Sequence, residues 1–222
     1  MLKRISYPLT PQSPLYPGTP EITRAEGKSI GRGDSANTSI LTLSSHAGSH
    51  IDAPLHFCTE GRTTREILKD RLTISPVYCI DLPVKPATGI RIRDLEPYTR
   101  QIAGTKGLLI RTGMHRLRAS DLGRYCNDHP WIHPEVPAFL RTTCPSLILL
   151  GIDTISISNP QFRSEGRQCH RAFLCHDNPI LLAEDLDLSD SELSDVGFSV
   201  LIYPWIVDDL DGVPILAFAE IP

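Results

Sequence analysis

The chain has 222 residues, 41% hydrophobic and 22% charged, with Lys plus Arg at 22 against Asp plus Glu at 26 for a formal charge of −4. That balance belongs to a folded globular protein and excludes disorder, collagen and coiled coil, and the lack of any run of like charges excludes a nucleic-acid surface. Nineteen prolines and fifteen glycines argue against long helices and leave a sheet-rich or mixed α/β protein.

The first residues carry Lys3 and Arg4, but five prolines interrupt the stretch from Met1 to Pro20 and no leader-like apolar run appears. No window has the roughly 18 apolar residues of a membrane span, so the expectation is a cytoplasmic protein without a membrane partner. Strands are expected at 39–43, 77–82, 107–111, 146–151, 198–207 and 214–221, where apolar and β-branched residues run to strand length. Short helices are expected at 91–98, 119–125 and 133–142, each with Asp, Ser or Pro near its start. Asp208, Asp209 and Asp211 lie between the last two strands, and the step Asp211-Gly212 reads as a hairpin turn. With no composition shift or linker, the chain reads as one α/β domain over 1–222, with a mixed sheet and short helices. Six cysteines at 58, 79, 126, 144, 169 and 175 form no CxxC pair and read as reduced thiols.

The segment that carries chemistry runs Ser45-His46-Ala47-Gly48-Ser49-His50-Ile51-Asp52-Ala53-Pro54-Leu55-His56-Phe57. If the strand at 39–43 continues through it, His46, His50 and Asp52 share one face, because strand side chains alternate with period two. Gly48 would then leave a hole between them about the size of an ion, and Pro54 would turn the chain so that His56 returns over the same place. Imidazole and carboxylate together suit one or two divalent metals. A run of surface histidines satisfied by water is the plain alternative.

These residues resemble the cyclase family of metal-dependent hydrolases, which includes bacterial kynurenine formamidases and isatin hydrolases. The family signature His-x-Gly-Thr-His-x-Asp-x-Pro-x-His is met from His46 to His56, with Ser49 where Thr is usual. Leu15-Tyr16-Pro17-Gly18, Arg111-Thr112-Gly113, Gly151-Ile152-Asp153-Thr154 and His170-Arg171-Ala172-Phe173-Leu174 followed by Glu184 are similar to further family segments in the same order. The resemblance implies a swivelling β/β/α-like fold and a site for one or two ions, Zn2+ or Mn2+, held by His46, His50, Asp52, His170 and Glu184, with His56 as the catalytic proton carrier. It implies a homodimer or higher oligomer as well. The family usually places its Glu twelve residues after the His, whereas here the separation is fourteen. An irregularity is therefore expected between Pro179 and Glu184, and His176 and Asp177 stand as rival ligands.

Amide hydrolysis needs an activated water, a polarised carbonyl and a proton for the leaving nitrogen. A divalent ion lowers the pKa of water from 15.7 to roughly 7, and an imidazole with a reference pKa of about 6.5 can carry the proton. The implied activity is an arylformamidase of tryptophan catabolism acting on N-formylkynurenine or a related aromatic formamide. A cyclic-amide hydrolase, a polyketide cyclase-like enzyme and a metal-stabilised binding protein remain as alternatives. Tyr16 and Phe57 are the expected substrate-binding residues, with Tyr125 and Trp131 as further candidate walls; Tyr16 stands where formamidases often carry Trp. The Gly48-Ser49-His50 step lacks the second glycine of a serine-hydrolase elbow, and Cys58 is the alternative nucleophile. Asp153 is read as orienting a ligand histidine or capping the turn at Thr154.

Overall fold

The structure, a computed structural model, describes residues 1–68, 71–194 and 197–222. These residues form twelve strands: β1 Leu2–Arg4, β2 Thr23–Glu26, β3 Ser39–Thr42, β4 His50–Asp52, β5 Leu72–Asp81, β6 Gly89–Ile90, β7 Gly107–Arg111, β8 Trp131–Ile132, β9 Leu149–Ile152, β10 Leu181–Glu184, β11 Phe198–Pro204 and β12 Gly212–Glu220. The helices are α1 Thr64–Leu68, α2 Ile92–Leu95, α3 Thr99–Ile102, α4 His115–Ser120, α5 Leu122–Asn127, α6 Val136–Thr143 and α7 Arg163–Leu174.

Eight strands make one mixed sheet in the order β1-β12-β11-β5-β7-β9-β10-β4, and β12 pairs with β4 as well, so the sheet closes on itself. Strands β5, β7, β9 and β10 are mutually parallel. Each parallel step needs a crossover, and α2 to α7 lie in those crossovers. Alternate residues then serve two cores. Val77, Leu109, Leu149, Ala183, Val213 and Ile215 fill the inside of the closed sheet. Ile110, Leu150 and Leu182 point outward and pack under Leu140 of α6 and Phe173 and Leu174 of α7. Gly151 belongs to the crowded inner face, where a Cβ would lie 2.4 Å from Leu109 Cδ2.

The expected strand at 39–43 forms, but as an exposed hairpin partner of β2 rather than a buried strand, since among the described residues it pairs with β2 alone. It stops at Thr42, and the site strand β4 starts afresh at His50. Helix 91–98 breaks after Leu95 because Pro97 enters a 3-10 turn. Helix 119–125 divides at Asp121, whose side chain accepts from Arg124 N and caps α5. Two elements central to the site are absent from the expected set: β10 and α7, the longest helix. The buried face of α7 is Gly166, Cys169, His170, Phe173 and Leu174. Helical spacing is present, but glycine and histidine interrupt its apolar stripe.

Candidate metal centre

Register places the deep half of the site. In the antiparallel pairing of β4 with β10, His50 lies opposite Glu184, Ile51 opposite Ala183 and Asp52 opposite Leu182. Ile51 and Ala183 face the inner core. His50, Asp52 and Glu184 therefore share the outer face, where α7 brings His170 onto them. All four are at most 4% exposed.

Each deep histidine is oriented by its own backbone. His50 Nδ1 donates to the Gly48 carbonyl at 2.8 Å, and His170 Nδ1 donates to the Gly166 carbonyl one turn earlier at 2.8 Å. That leaves both Nε2 atoms aimed at carboxylates: His50 Nε2 is 3.4 Å from Asp52 Oδ1 and 3.4 Å from Glu184 Oε2. His170 Nε2 lies 3.5 Å from Glu184 Oε1 and 3.7 Å from Asp52 Oδ2. These separations exceed hydrogen-bond length. The two His50 separations match the roughly 3.3–3.4 Å edges between ligands that sit about 2.0–2.1 Å from a common ion, and His170 faces the other oxygen of each carboxylate. Asp52 Oδ2 is buried and has no hydrogen-bond partner among the described residues, a costly condition that a cation would relieve. Glu184 Oε1 is held by Ile157 N at 2.7 Å and Ser156 Oγ at 3.1 Å, supports with no signal in the sequence.

The outer half is built differently. His46 sits in a turn, with Nδ1 2.9 Å from Asp52 Oδ1 and Nε2 2.9 Å from Asp211 Oδ2. His56 lies in the 3-10 turn Pro54–His56, which Pro54 begins, and its Nδ1 is 2.8 Å from the same Asp211 oxygen. The His46 and His56 ring centres are 4.0 Å apart. Among the described residues two groups could hold a cation: His50, Asp52 and Glu184, and His46, Asp52 and His56. Asp52 belongs to both.

Electrostatics follow from the geometry. Burial would push Asp52 up, but the His46 hydrogen bond and the nearby His50 ring hold it well below the carboxylate range. Burial and the charge of Asp52 would raise Glu184, yet His170 and His50 bring it down to about 2. Burial alone would lower His46, but Asp211 and Asp52 lift it to about 9. His50 and His170 are likewise raised against burial, His50 by Asp52 and Glu184 and His170 first by Glu184. Such a cluster holds protons in places a divalent ion can take over.

Gly48 does not leave an ion-sized hole. It adopts φ +66°, and a Cβ there would meet Leu9 Cδ1 at 2.8 Å; its task is to turn the chain and present its carbonyl to His50. His176 and Asp177 lie in the exposed turn after α7, away from both groups. The irregular stretch between His170 and Glu184 is 175–180, while β10 pairs without a break on both sides. Asp153 takes neither expected role: it accepts from Thr112 N, Thr112 Oγ1 and Gly113 N, fixing the turn that follows β7 rather than the one at Thr154 and touching none of the site histidines.

The expectation of six reduced thiols is wrong for one pair: Cys58 and Cys175 form a disulfide, while 79, 126, 144 and 169 are free. The fold brings them together because Cys58 follows Phe57, whose ring stacks on His170 at 4.5 Å, and Cys175 caps the end of α7. The missed partner of the site is Asp211, whose Asp-Gly step looks locally like an ordinary hairpin turn. No nearby residue marks it, because everything its side chain touches lies more than 150 positions earlier.

A cavity of about 220 Å³ opens over these groups, walled by Tyr16, Thr19, Phe57, Ile155 and Ser158. Pro17 and Gly18, with φ +98° at the glycine, make the turn that carries Tyr16 and Thr19 to it. Tyr125 and Trp131 are buried elsewhere, Tyr125 donating to Asp185 and Trp131 stacked on Phe162.

Among known proteins the chain is 27% identical over 213 residues to a Bacillus cereus kynurenine formamidase, covering 96% of this chain and 94% of the relative. A Bacillus anthracis kynurenine formamidase matches to the same extent. In fold it is similar to isatin hydrolase A from Labrenzia aggregata, with a TM-score of 0.80 at 16% identity over 100% of this chain and 93% of that one. It is also similar to a protein described as a potential metal-dependent hydrolase with cyclase activity, with a TM-score of 0.72 at 21% identity over 99% and 96% of the two chains. The family described as Putative cyclase matches residues 4–159, a span that holds the histidine segment, and on this match the chain belongs to the cyclase family.

Proposed function

We propose that this chain is a metal-dependent amide hydrolase, an arylformamidase that cleaves N-formylkynurenine or a closely related aromatic formamide. The observation that carries the reading is the deep cluster: two imidazole Nε2 atoms and two carboxylates face one another at 3.4–3.7 Å, with Asp52 Oδ2 unpartnered. His46, His50, Asp52, His170 and Glu184 would hold the metal, with Asp52 reaching both groups. Nitrogen and carboxylate oxygen donors suit Zn2+ and Mn2+ alike. When bound, the ion supplies Lewis acidity to a carbonyl and acidifies a water.

The chain's own residues supply the rest. Ser156 and the Ile157 amide fix the Glu184 carboxylate, and the Gly48 and Gly166 carbonyls fix the two deep rings. His56 stands at the mouth with Nδ1 held by Asp211, which leaves Nε2 to take a proton from water and return it to the departing amine. Tyr16 and Phe57 would embrace an aromatic ring. A cavity of roughly 150 Å³ admits benzene, so the 220 Å³ here suits one ring with a one-carbon amide arm.

We treat 1–222 as one catalytic unit working as a homodimer or higher oligomer on a small molecule. Among the described residues no helix is long and apolar enough to cross a membrane. A cytoplasmic location, which the sequence suggests, requires that the Cys58–Cys175 bond be open in the cell, and thiol trapping before lysis tests that. The function is tested by elemental analysis of the purified protein together with assays on N-formylkynurenine, a cyclic aromatic amide and an ester. Stoichiometric zinc or manganese with formamide hydrolysis is the expected result. Metal without turnover of any substrate would reduce the site to a binding module, and preference for the cyclic amide would move the substrate class.

A further inference from the structure

The chain's last acidic turn reaches back to the histidine segment. We propose that Asp211, with Gly212 beside it, is the positioning residue that sets the rings of His46 and His56. The inference rests on the hydrolase reading and adds a residue to it.

One carboxylate oxygen, Asp211 Oδ2, lies 2.9 Å from His46 Nε2 and 2.8 Å from His56 Nδ1. The other oxygen accepts from Ser45 Oγ at 3.2 Å, so the carboxylate cannot rotate without giving up a bond. Its backbone is fixed too. The Asp211 carbonyl accepts Ala53 N at 2.9 Å, and Gly212 pairs with Asp52 across the β12–β4 seam. Gly212 supplies the room: a Cβ there would lie 2.3 Å from His46 Cε1 and 2.8 Å from its Nδ1. The ring rests on bare backbone, and no other residue type fits beneath it.

This arrangement assigns protons to named atoms. With His46 donating from Nε2 to Asp211, the nitrogen turned to the Asp52 corner is Nδ1, 2.9 Å from Asp52 Oδ1, where a cation would take the proton's place. With His56 donating from Nδ1, its Nε2 carries the lone pair that a proton carrier needs. A carboxylate behind an imidazole fixes tautomer and orientation in this way. Asp211 thus acts through two histidines and touches neither substrate nor ion.

The test uses D211A, D211N, G212A, H56A and H56A/D211A as full-length proteins, with metal counted after dialysis and kcat and KM measured separately. D211A is expected to lower kcat about 10–100-fold with KM little changed, and to retain less metal. D211N keeps an acceptor oxygen and should recover most of kcat. In the H56A background the same Asp211→Ala change should cost about threefold or less in kcat while still loosening the metal, because the proton carrier is already gone. G212A should loosen the metal by displacing His46. Wild-type kcat and metal content in D211A, or an equal loss of kcat in both backgrounds, would overturn the proposal.

A spectroscopic readout stands apart from activity. In metal-free protein, at a pH where the ring is neutral, the 15N shifts of His56, assigned by their loss in H56A, should show the proton on Nδ1. A proton on Nε2 sinks the proposal even if no Asp211 variant folds. If the wild type hydrolyses no amide the functional reading fails, and this ring measurement still decides the role of Asp211.

Discussion

The two halves of the site use the same residue types to opposite effect. In the deep half, His50 and His170 donate to backbone carbonyls and turn the other ring nitrogen toward carboxylates just beyond hydrogen-bond reach. In the outer half, His46 and His56 meet carboxylates at 2.8–2.9 Å. The difference lies in what binds the second ring nitrogen. A carbonyl adds no charge, so each deep ring answers only to the carboxylates on its far side, where a cation can take the proton's place. At His46 carboxylates lie against both ring nitrogens and favour the charged ring, which stores a proton beside the place where a leaving group needs one.

The largest effect expected from breaking this contrast is at His50, whose Nε2 faces both deep carboxylates. His50→Ala should lose most of its metal and drop activity to background, as checked by elemental analysis and formamidase assay; a variant with undiminished metal would remove His50 from the ligand set. His56→Ala should do the reverse, keeping its metal while kcat falls by about 10²–10⁴-fold. A metal-free His56→Ala protein would instead make His56 a ligand.

Next in size is the covalent tie between the halves. Cys58 follows the His56 segment and Cys175 ends the helix of His170, a separation of 117 residues. Opening so long a loop by Cys58→Ser should lower unfolding free energy by about 2–4 kcal/mol, read from chemical denaturation, with a loss of kcat smaller than that of His56→Ala. A loss of metal equal to that of His50→Ala would show that the tie shapes the deep cluster itself.

The pH response of the metal-free protein sharpens the same contrast. The His46 ring is raised to about 9, so its stabilisation is present below its unfolded value near 6.5 and is lost as pH climbs through about 9. Glu184 is held down to about 2, so its stabilisation is present above roughly 4.5 and is lost as pH falls through about 2. Thermal melts should therefore peak between about pH 4.5 and 6.5, and zinc should raise Tm more at pH 9 than at pH 6 because binding releases ring protons. A zinc effect independent of pH would contradict the proton placement. The smallest effect is expected at His176, whose change to Ala should leave metal content unaltered.

The histidine segment is legible because most of its ligands are local. His46 to His56 lie within one stretch whose glycine and proline announce turns, and the resemblance adds His170 and Glu184. Strand alternation is a poorer guide to how they meet. A continuous strand from 39 would align all three ligands, whereas the chain breaks at Thr42 and only His50 and Asp52 share a strand face. The apolar strand 107–111 can be read from composition, since burial on both faces requires an unbroken apolar run, whereas the apolar run 198–207 overstates β11, which ends at Pro204 and buries one face. Helix α7 is hidden because the function itself occupies its buried stripe: His170 takes an apolar position and Gly166 lets the helix approach Ser158, where a Cβ would lie 2.3 Å away. Asp211 and the Cys58–Cys175 bond are illegible for another reason. Both depend on contacts across more than a hundred residues, and no local pattern encodes which distant segment the closed sheet will deliver.

That closure sets an order of assembly. Strand β4 is three residues long and is flanked by β10 on one side and by the first residues of β12 on the other. So short a strand gains little from its own contacts, and loop-closure entropy must be overcome before either neighbour reaches it. During synthesis His46, His50 and Asp52 emerge early and wait for about 160 residues, roughly ten to thirty seconds at ribosomal rates, until Gly212 to Pro214 arrive to complete the seam. The centre is thus the last part of the molecule to become itself, and its formation reports that the whole sheet has closed.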